Sequence, residues 1–265
     1  MDKFGYIRGR RGPRGFPGRN ALQLERWFDV ALLRMFREDE QCTYYFNTET
    51  DGVINKDGKY EIKDRGGRHN AVCLQNYIKP VRVEDFYGLP LKNSLYKISD
   101  INTALDPPSI MLIAFSFRVL SEPTDQSQYI FTNNSGTRAV SITKDYLSIW
   151  GTQSPPMLTY NNKLWNTMII QYSCVNDDDR ENDKCFFSLN MDKGFFRPRG
   201  YKIEDSDVYI GGRPNKTNFA HVLIGNFEIY VKHPDPGPYL VPDEIWGLVE
   251  TDLINRLPIV CPASI

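Results

Sequence analysis

Histidine is scarce in this chain of 265 residues: His69, His221 and His233 are all it has, in separate loop-like stretches without the spacing of a metal site. No apolar run approaches the ~20 residues that a helix needs to cross a bilayer. The first residues lack the apolar central region of a secretory leader. The expectation is therefore a processed piece, a recombinant chain, or a protein exported by another route, such as a component of a virus particle. No nucleophile elbow and no phosphate-cradling glycine loop is present, which speaks against the enzymes those motifs mark. Opposite charges nearly cancel, 32 Lys and Arg against 33 Asp and Glu. No aromatic-basic motif accompanies the basic residues, so nucleic acid is not an expected partner.

What is present is a globular composition, 41% hydrophobic and 13% aromatic, in a length that suits one large domain plus extensions. The near-neutral total hides an asymmetry. Residues 1–19 hold Lys3, Arg8, Arg10, Arg11, Arg14 and Arg19 against Asp2 alone, and the remainder is mildly acidic. Through the same stretch Gly9, Gly12, Gly15 and Gly18 recur at every third residue, with Pro13 and Pro17 in the X and Y places. Only glycine fits at the axis where three chains meet, so the run reads as collagen-like. It is too short to hold a triple helix unaided. It is read as the end of a longer stalk or as a pin that registers three copies, which predicts a homotrimer built for display or attachment. The alternative is a flexible arginine-rich tail with accidental spacing. Arg8, Arg10, Arg11 and Arg14 are candidate polyanion-binding residues, since each guanidinium matches sulfate or phosphate with paired donors. Arg197 and Arg199, either side of Pro198, make a smaller basic spot, by default a solvated surface.

Four segments are expected: a basic stem over 1–19, a helical neck over 20–40, a β-sandwich over 41–240, and a C-terminal helix and tail over 241–265. Asn20 and Gln23 form a capping box that opens a helix over 20–38. Leu24, Phe28, Ala31 and Met35 recur at heptad spacing, while Leu22, Trp27, Leu32, Leu33 and Phe36 widen the apolar surface beyond one seam. A three-chain neck and a helix packed on its own domain both fit. From Thr43 to Val231 short apolar or alternating runs are punctuated by Gly, Asn, Asp and Pro every eight to twelve residues, as in a two-sheet sandwich. The strands expected are Ile110–Val119, Gln128–Phe131, Ala139–Ile142, Tyr146–Trp150, Thr167–Tyr172, Phe186–Leu189, Asp207–Ile210 and Gly225–Val231. In the last, Phe227, Ile229 and Val231 are set to face a core, with Glu228, Tyr230 and Lys232 on the other side. Trp150 and Trp165 are expected in the core. After the Pro-rich linker His233–Pro238, Pro242 with Asp243 and Glu244 starts a short helix to about Ile254.

Five cysteines suggest bridges. Cys174 and Cys185 flank a polar loop between two strands, where a bridge would close a hairpin. Cys42 and Cys73 form a second candidate pair, and Cys261 is left to link chains. Five reduced, partly buried thiols are the alternative. Two glycosylation sequons, at Asn133 and Asn215, fall in turn-rich loops.

Taken along 44–232, several signposts resemble the laminin-G-like, concanavalin-A-like jelly roll. They are Ile62 through Ala71, the strand Ile110 through Arg118, Leu164-Trp165-Asn166, Phe187-Ser188-Leu189-Asn190 with Gly194, Val208 through Gly212, and Gly225 through Tyr230. The resemblance implies an all-β, two-sheet antiparallel sandwich that recognises glycan, sulfated polysaccharide or a cell-surface protein through rim loops or one sheet face. It also implies a calcium ion in many members, and no other cofactor. Asp177, Asp178 and Asp179, with Asp183 nearby, are the candidate ligands, although they read first as a solvated hairpin tip. Glycoside hydrolases share the sandwich, but the alternating Glu-x-Asp-x-x-Glu of related glucanases is missing; Glu204-Asp205-Ser206-Asp207 alternates wrongly and reads as a turn. The expected function is non-enzymatic recognition by an extracellular matrix or cell-surface protein, with a virion-surface attachment or fibre protein as the alternative. In the better known animal collagens with this module it precedes the collagenous region, whereas here it follows.

Overall fold

The computed structural model of the chain describes residues 43–46, 52–63, 70–83, 86–99, 109–134, 136, 138–150, 156–174, 185–196 and 207–232. Within them the chain forms seventeen strands and no helix. In chain order the first seven are β1 (Thr43–Phe46), β2 (Val53–Ile54), β3 (Tyr60–Ile62), β4 (Ala71–Gln75), β5 (Val81–Val83), β6 (Phe86–Pro90) and β7 (Leu95–Ile98). Next come β8 (Ser109–Val119), β9 (Gln128–Asn133), β10 (Ala139–Ile142), β11 (Leu147–Trp150) and β12 (Met157–Leu158). The last are β13 (Asn166–Cys174), β14 (Cys185–Leu189), β15 (Asp192–Phe196), β16 (Val208–Ile210) and β17 (Val222–Lys232).

They make a two-sheet jelly-roll sandwich. The first sheet runs β15-β14-β13-β8-β17-β6-β5, with β1 also paired to β17; the second runs β12-β11-β10-β9-β16-β7-β4-β3-β2. Neighbours in each sheet are antiparallel, so the alternation legible in the sequence sends one set of side chains inward from each sheet. On β8 and β17 the inward set includes Ile113, Phe115, Phe117, Ile224, Phe227 and Ile229, all essentially inaccessible. Phe227 stacks on Phe115 at 5.8 Å within its own sheet and meets Phe131 of the opposite sheet at 6.2 Å. Tight turns set the hairpin registers. Between β14 and β15, Asn190 (φ 53°) and Met191 (φ 74°) adopt the left-handed backbone of a two-residue hairpin turn. The Asn190 side chain then reaches back, accepting from Thr167 N at 2.9 Å and donating to Asn166 Oδ1 at 2.9 Å.

All eight expected strands are present; five run longer than expected by one to four residues, Ala139–Ile142 matches, and the two expected to start at Tyr146 and Asp207 each begin one residue later. Three details depart from expectation. Glu228, placed on the non-core side of β17, is fully buried, so both faces of the first sheet are covered. Asn133 does not sit in an exposed loop. It is buried at the end of β9, where its side-chain oxygen accepts from Arg138 N at 3.0 Å, and a glycan there would require this turn to open. Cys73 carries a free thiol, buried on the core side of β4, whose sulfur lies 3.3 Å from the Gln75 carbonyl it donates to. Desolvation pushes that thiol above its ordinary pKa. The glycine run, the expected helices at 20–38 and 242–254, and the side chains of Cys42, Cys174, Cys185 and Cys261 lie outside what is described. So do Arg8, Arg10, Arg11, Arg14, Asp177, Asp178, Asp179, Asp183, Arg197 and Arg199.

Because Phe227 joins the sheets, Phe227→Ala should cost about 3–5 kcal/mol of stability. Urea unfolding followed by tryptophan fluorescence measures it, and a loss below about 1 kcal/mol would contradict the packing described.

Candidate binding surface on the second sheet

The same alternation that fills the core turns a second set of side chains away from it. Ser141 on β10 is opposite both Tyr129 on β9 and Ser148 on β11, so these three form a row across the outer face of the second sheet. Trp150 follows Ser148 by two residues and shares that face. Its indole N–H donates to Ser141 Oγ at 2.8 Å, and its ring lies 6.4 Å from that of Tyr129. The Arg213 guanidinium sits over the other ring neighbour: its Cζ is 4.4 Å from the Tyr129 centroid, and Nη2 donates to the Tyr129 hydroxyl. Trp150, Tyr129 and Arg213 therefore form one contiguous cluster, with Arg213 over the Tyr129 ring and the indole tilted 31° to it.

The loop that carries Arg213 is tightly built. Gly211 has φ +97°, and a Cβ there would run into the Ser94 carbonyl, so only glycine serves. Gly211 N donates to Ile130 O and Ala220 N to Gly211 O, both at 2.9 Å, closing the loop against β9. Arg213 N bonds Thr217 O, and Asn218 Nδ2 bonds Ser127 O, which ties the far side of the loop to the start of the same strand. Arg213 is exposed and Trp150 half-buried, while Tyr129 and Ser141 beneath them are buried. Beyond Trp150, Met157 pairs with Ser148 and is 68% exposed, adding apolar surface.

A longer row crosses the sheet through Glu61, Val72, Lys97, Tyr209, Thr132, Ala139 and Trp150. Lys97 is paired with Asp207 at 2.8 Å. At the opposite end from Trp150, burial opposes ionisation of Glu61. Hydrogen bonds from Asn55 (2.7 Å), Asn70 (2.8 Å) and Lys63, with the Lys63 charge, outweigh that and hold its pKa below the ordinary value. The Arg213 guanidinium is pre-oriented by one ring, and among the described residues only its Nη2 is engaged, so its remaining donors can meet a carboxylate, a sulfate or a carbonyl. Trp150 and Met157 offer an apolar flank for the face of a sugar or an aromatic side chain. Among the described residues no three His, Cys, Asp or Glu side chains come together as metal ligands.

Of the residues expected to bind or carry a group, Asn215 is the one found on this surface. It is exposed two residues after Arg213, and its side-chain oxygen accepts from Thr217 Oγ1 at 2.6 Å. Trp150, expected in the core, instead forms part of the surface cluster. Trp165 is buried, but on the outer face of the first sheet, over Gly88 and Gly225. Tyr129, Ser141 and Arg213 were not anticipated, because the cluster forms only when strands and loops far apart in sequence are brought together.

The fold is a jelly roll that solved structures share at low sequence identity. It is similar to the receptor binding domain of botulinum neurotoxin type G, at 14% identity and a TM-score of 0.50, covering 80% of this chain and 51% of that one. A botulinum neurotoxin DC binding domain in complex with rat synaptotagmin II gives 13% identity, a TM-score of 0.50, and coverage of 76% and 51%. This chain thus spans about half the length of the neurotoxin domains it matches. Domain 4 of an extracellular arabinanase from Geobacillus stearothermophilus, in complex with arabinotriose, gives 11% identity and a TM-score of 0.50, covering 77% of this chain and 99% of that domain. No family model matches the chain, and no curated protein does.

A lowered folded-state pKa means that Glu61 adds stability above its unfolded value of about 4.3 and loses it as pH falls through the folded value. Glu61→Gln should therefore lower the urea midpoint at pH 7 and leave it nearly unchanged at pH 2. An equal loss at both pH values would show that the ionised carboxylate is not what matters.

Proposed function

We propose that this protein is a non-enzymatic recognition module that binds glycan or a protein partner through the outer face of its second sheet. The observation that carries this reading is the cluster of Trp150, Tyr129 and Arg213. It sets an exposed cation beside a half-buried indole, an arrangement that costs little further ordering when a ligand arrives. The likeness to binding domains supports the fold on which such a surface is mounted. Sulfated or carboxylated glycans and acidic protein loops fit best, because the exposed charged groups here are Arg213 and Lys216; the basic residues of the first nineteen are a separate polyanion-binding candidate. The setting that suits this chemistry is extracellular, a matrix or cell surface, with a virion surface as the alternative. Calcium at Asp177–Asp179 stays a subordinate proposal.

The period-three glycine run adds a second element, display of the module in three copies. Light scattering on the intact chain tests it: a mass near three times 30.6 kDa supports trimeric display, and a monomer removes it.

Binding is tested by calorimetry with a heparin oligosaccharide, a sulfated probe, and arabinotriose, a neutral one. Arg213→Ala should weaken the sulfated probe about tenfold, in line with one charge-assisted contact. Trp150→Ala should weaken whichever probe binds. Replacing Arg8, Arg10, Arg11 and Arg14 by serine should remove the most salt-sensitive share of heparin binding. Affinities untouched by both Trp150→Ala and Arg213→Ala would overturn the assignment of this face.

A further inference from the structure

Folding puts the two sequon asparagines in opposite situations. Asn133 is 3% accessible; its side-chain oxygen accepts from Arg138 N at 3.0 Å and its backbone N–H donates to Arg138 O at 2.9 Å, so this asparagine closes the β9–β10 turn. Asn215 stands at the tip of the loop between β16 and β17, exposed together with Lys216 and Thr217. Lys216 N donates to Arg213 O at 2.9 Å and Arg213 N to Thr217 O at 3.0 Å, which pins the loop at its base and leaves the tip in water. Across the tip, Thr217 Oγ1 donates to Asn215 Oδ1 at 2.6 Å. That contact holds the side-chain amide by its oxygen, and among the described residues the amide nitrogen makes no hydrogen bond.

We infer that Asn215 is the site at which this chain takes an N-linked oligosaccharide, and that the glycan sets the size of partner able to reach Arg213. The inference rests on the extracellular setting and the binding face proposed above. In the transfer, Asn215 Nδ2 attacks C1 of an oligosaccharide carried on a polyprenyl diphosphate. The Nδ2–C1 bond forms and the C1–O bond to the diphosphate breaks; the diphosphate leaves with the bonding electrons, and Nδ2 gives one proton to a base of the transferase. A glycan is bulky and needs a surface position, which Asn215 offers and Asn133 does not. Asn215 follows Arg213 by two residues, so their Cα atoms lie within ~7 Å, less than the length of a few sugars. The linked amide carries no charge before or after transfer, so Arg213 keeps its field and the control is by size. A long polyanion must share the glycan's space, whereas a single sulfated sugar can still enter.

The test uses the full chain, secreted from a eukaryotic cell line with a leader supplied. Peptide mass spectrometry should find glycan on Asn215 and none on Asn133 of the folded product. An unmodified Asn215, or glycan on Asn133, would overturn the site. Calorimetry then compares the glycosylated and Asn215→Gln chains, each with Arg8, Arg10, Arg11 and Arg14 replaced by serine to isolate the sheet face. Asn215→Gln should bind long heparin about tenfold more tightly, the share of one charge-assisted contact, and a heparin disaccharide equally. With Arg213→Ala in both chains, the tenfold difference should disappear. Equal affinities for long heparin, or a difference that persists without Arg213, would overturn the control by size. Where Arg213→Ala also changes nothing in the Asn215→Gln chain, the failure lies in the binding face; the glycan's site, read from mass alone, is decided separately.

Discussion

Three aromatic rings hold this sandwich closed. Phe115 and Phe227 stack within the first sheet, and Phe227 reaches across to Phe131 of the second. Their burial removes a large apolar area from water. It also fixes the register of β8, β9 and β17, because a slip by one residue would turn each ring outward. Everything displayed on the outside depends on that choice. With the rings inward, Tyr129, Ser141 and Ser148 must face away from the core on one sheet, and Ala114, Ile169 and Glu228 on the other.

The two outward faces then diverge in chemistry. On the second sheet the outward set is aromatic and hydroxyl-bearing; Tyr129, Thr132, Ser141 and Ser148 are buried, with Arg213 exposed above Tyr129. On the first sheet Ala114 and Ile169 share the outward face with Ser116, Gln171, Ser188 and Glu228, all of them buried. The proposed binding surface lies where exposed Arg213, exposed Met157 and half-buried Trp150 reach the surface of the second sheet.

The Arg213 loop shows how backbone constraints serve a surface. Gly211 is needed for its positive φ and its approach to Ser94, and Lys216 and Asn218 also hold left-handed conformations at φ 60° and 55°. These turns hold the arginine above Tyr129. Asn133 shows the same economy in the opposite sense: a sequon asparagine becomes a turn-capping group once its strand is placed.

The amino-acid sequence by itself determined where strands run, since period-two alternation and Gly or Asn punctuation are local signals. It determined Phe227 and Ile229 as core. Tertiary structure alone decided which strands pair, and with that the meeting of Arg213 with Tyr129, 84 residues apart. It also decided that Glu228 is buried and Trp150 is not. Alternation states only that two residues face opposite sides of a strand. Whether a side meets water depends on what packs over it, and that is a property of distant chain, not of the neighbouring residues.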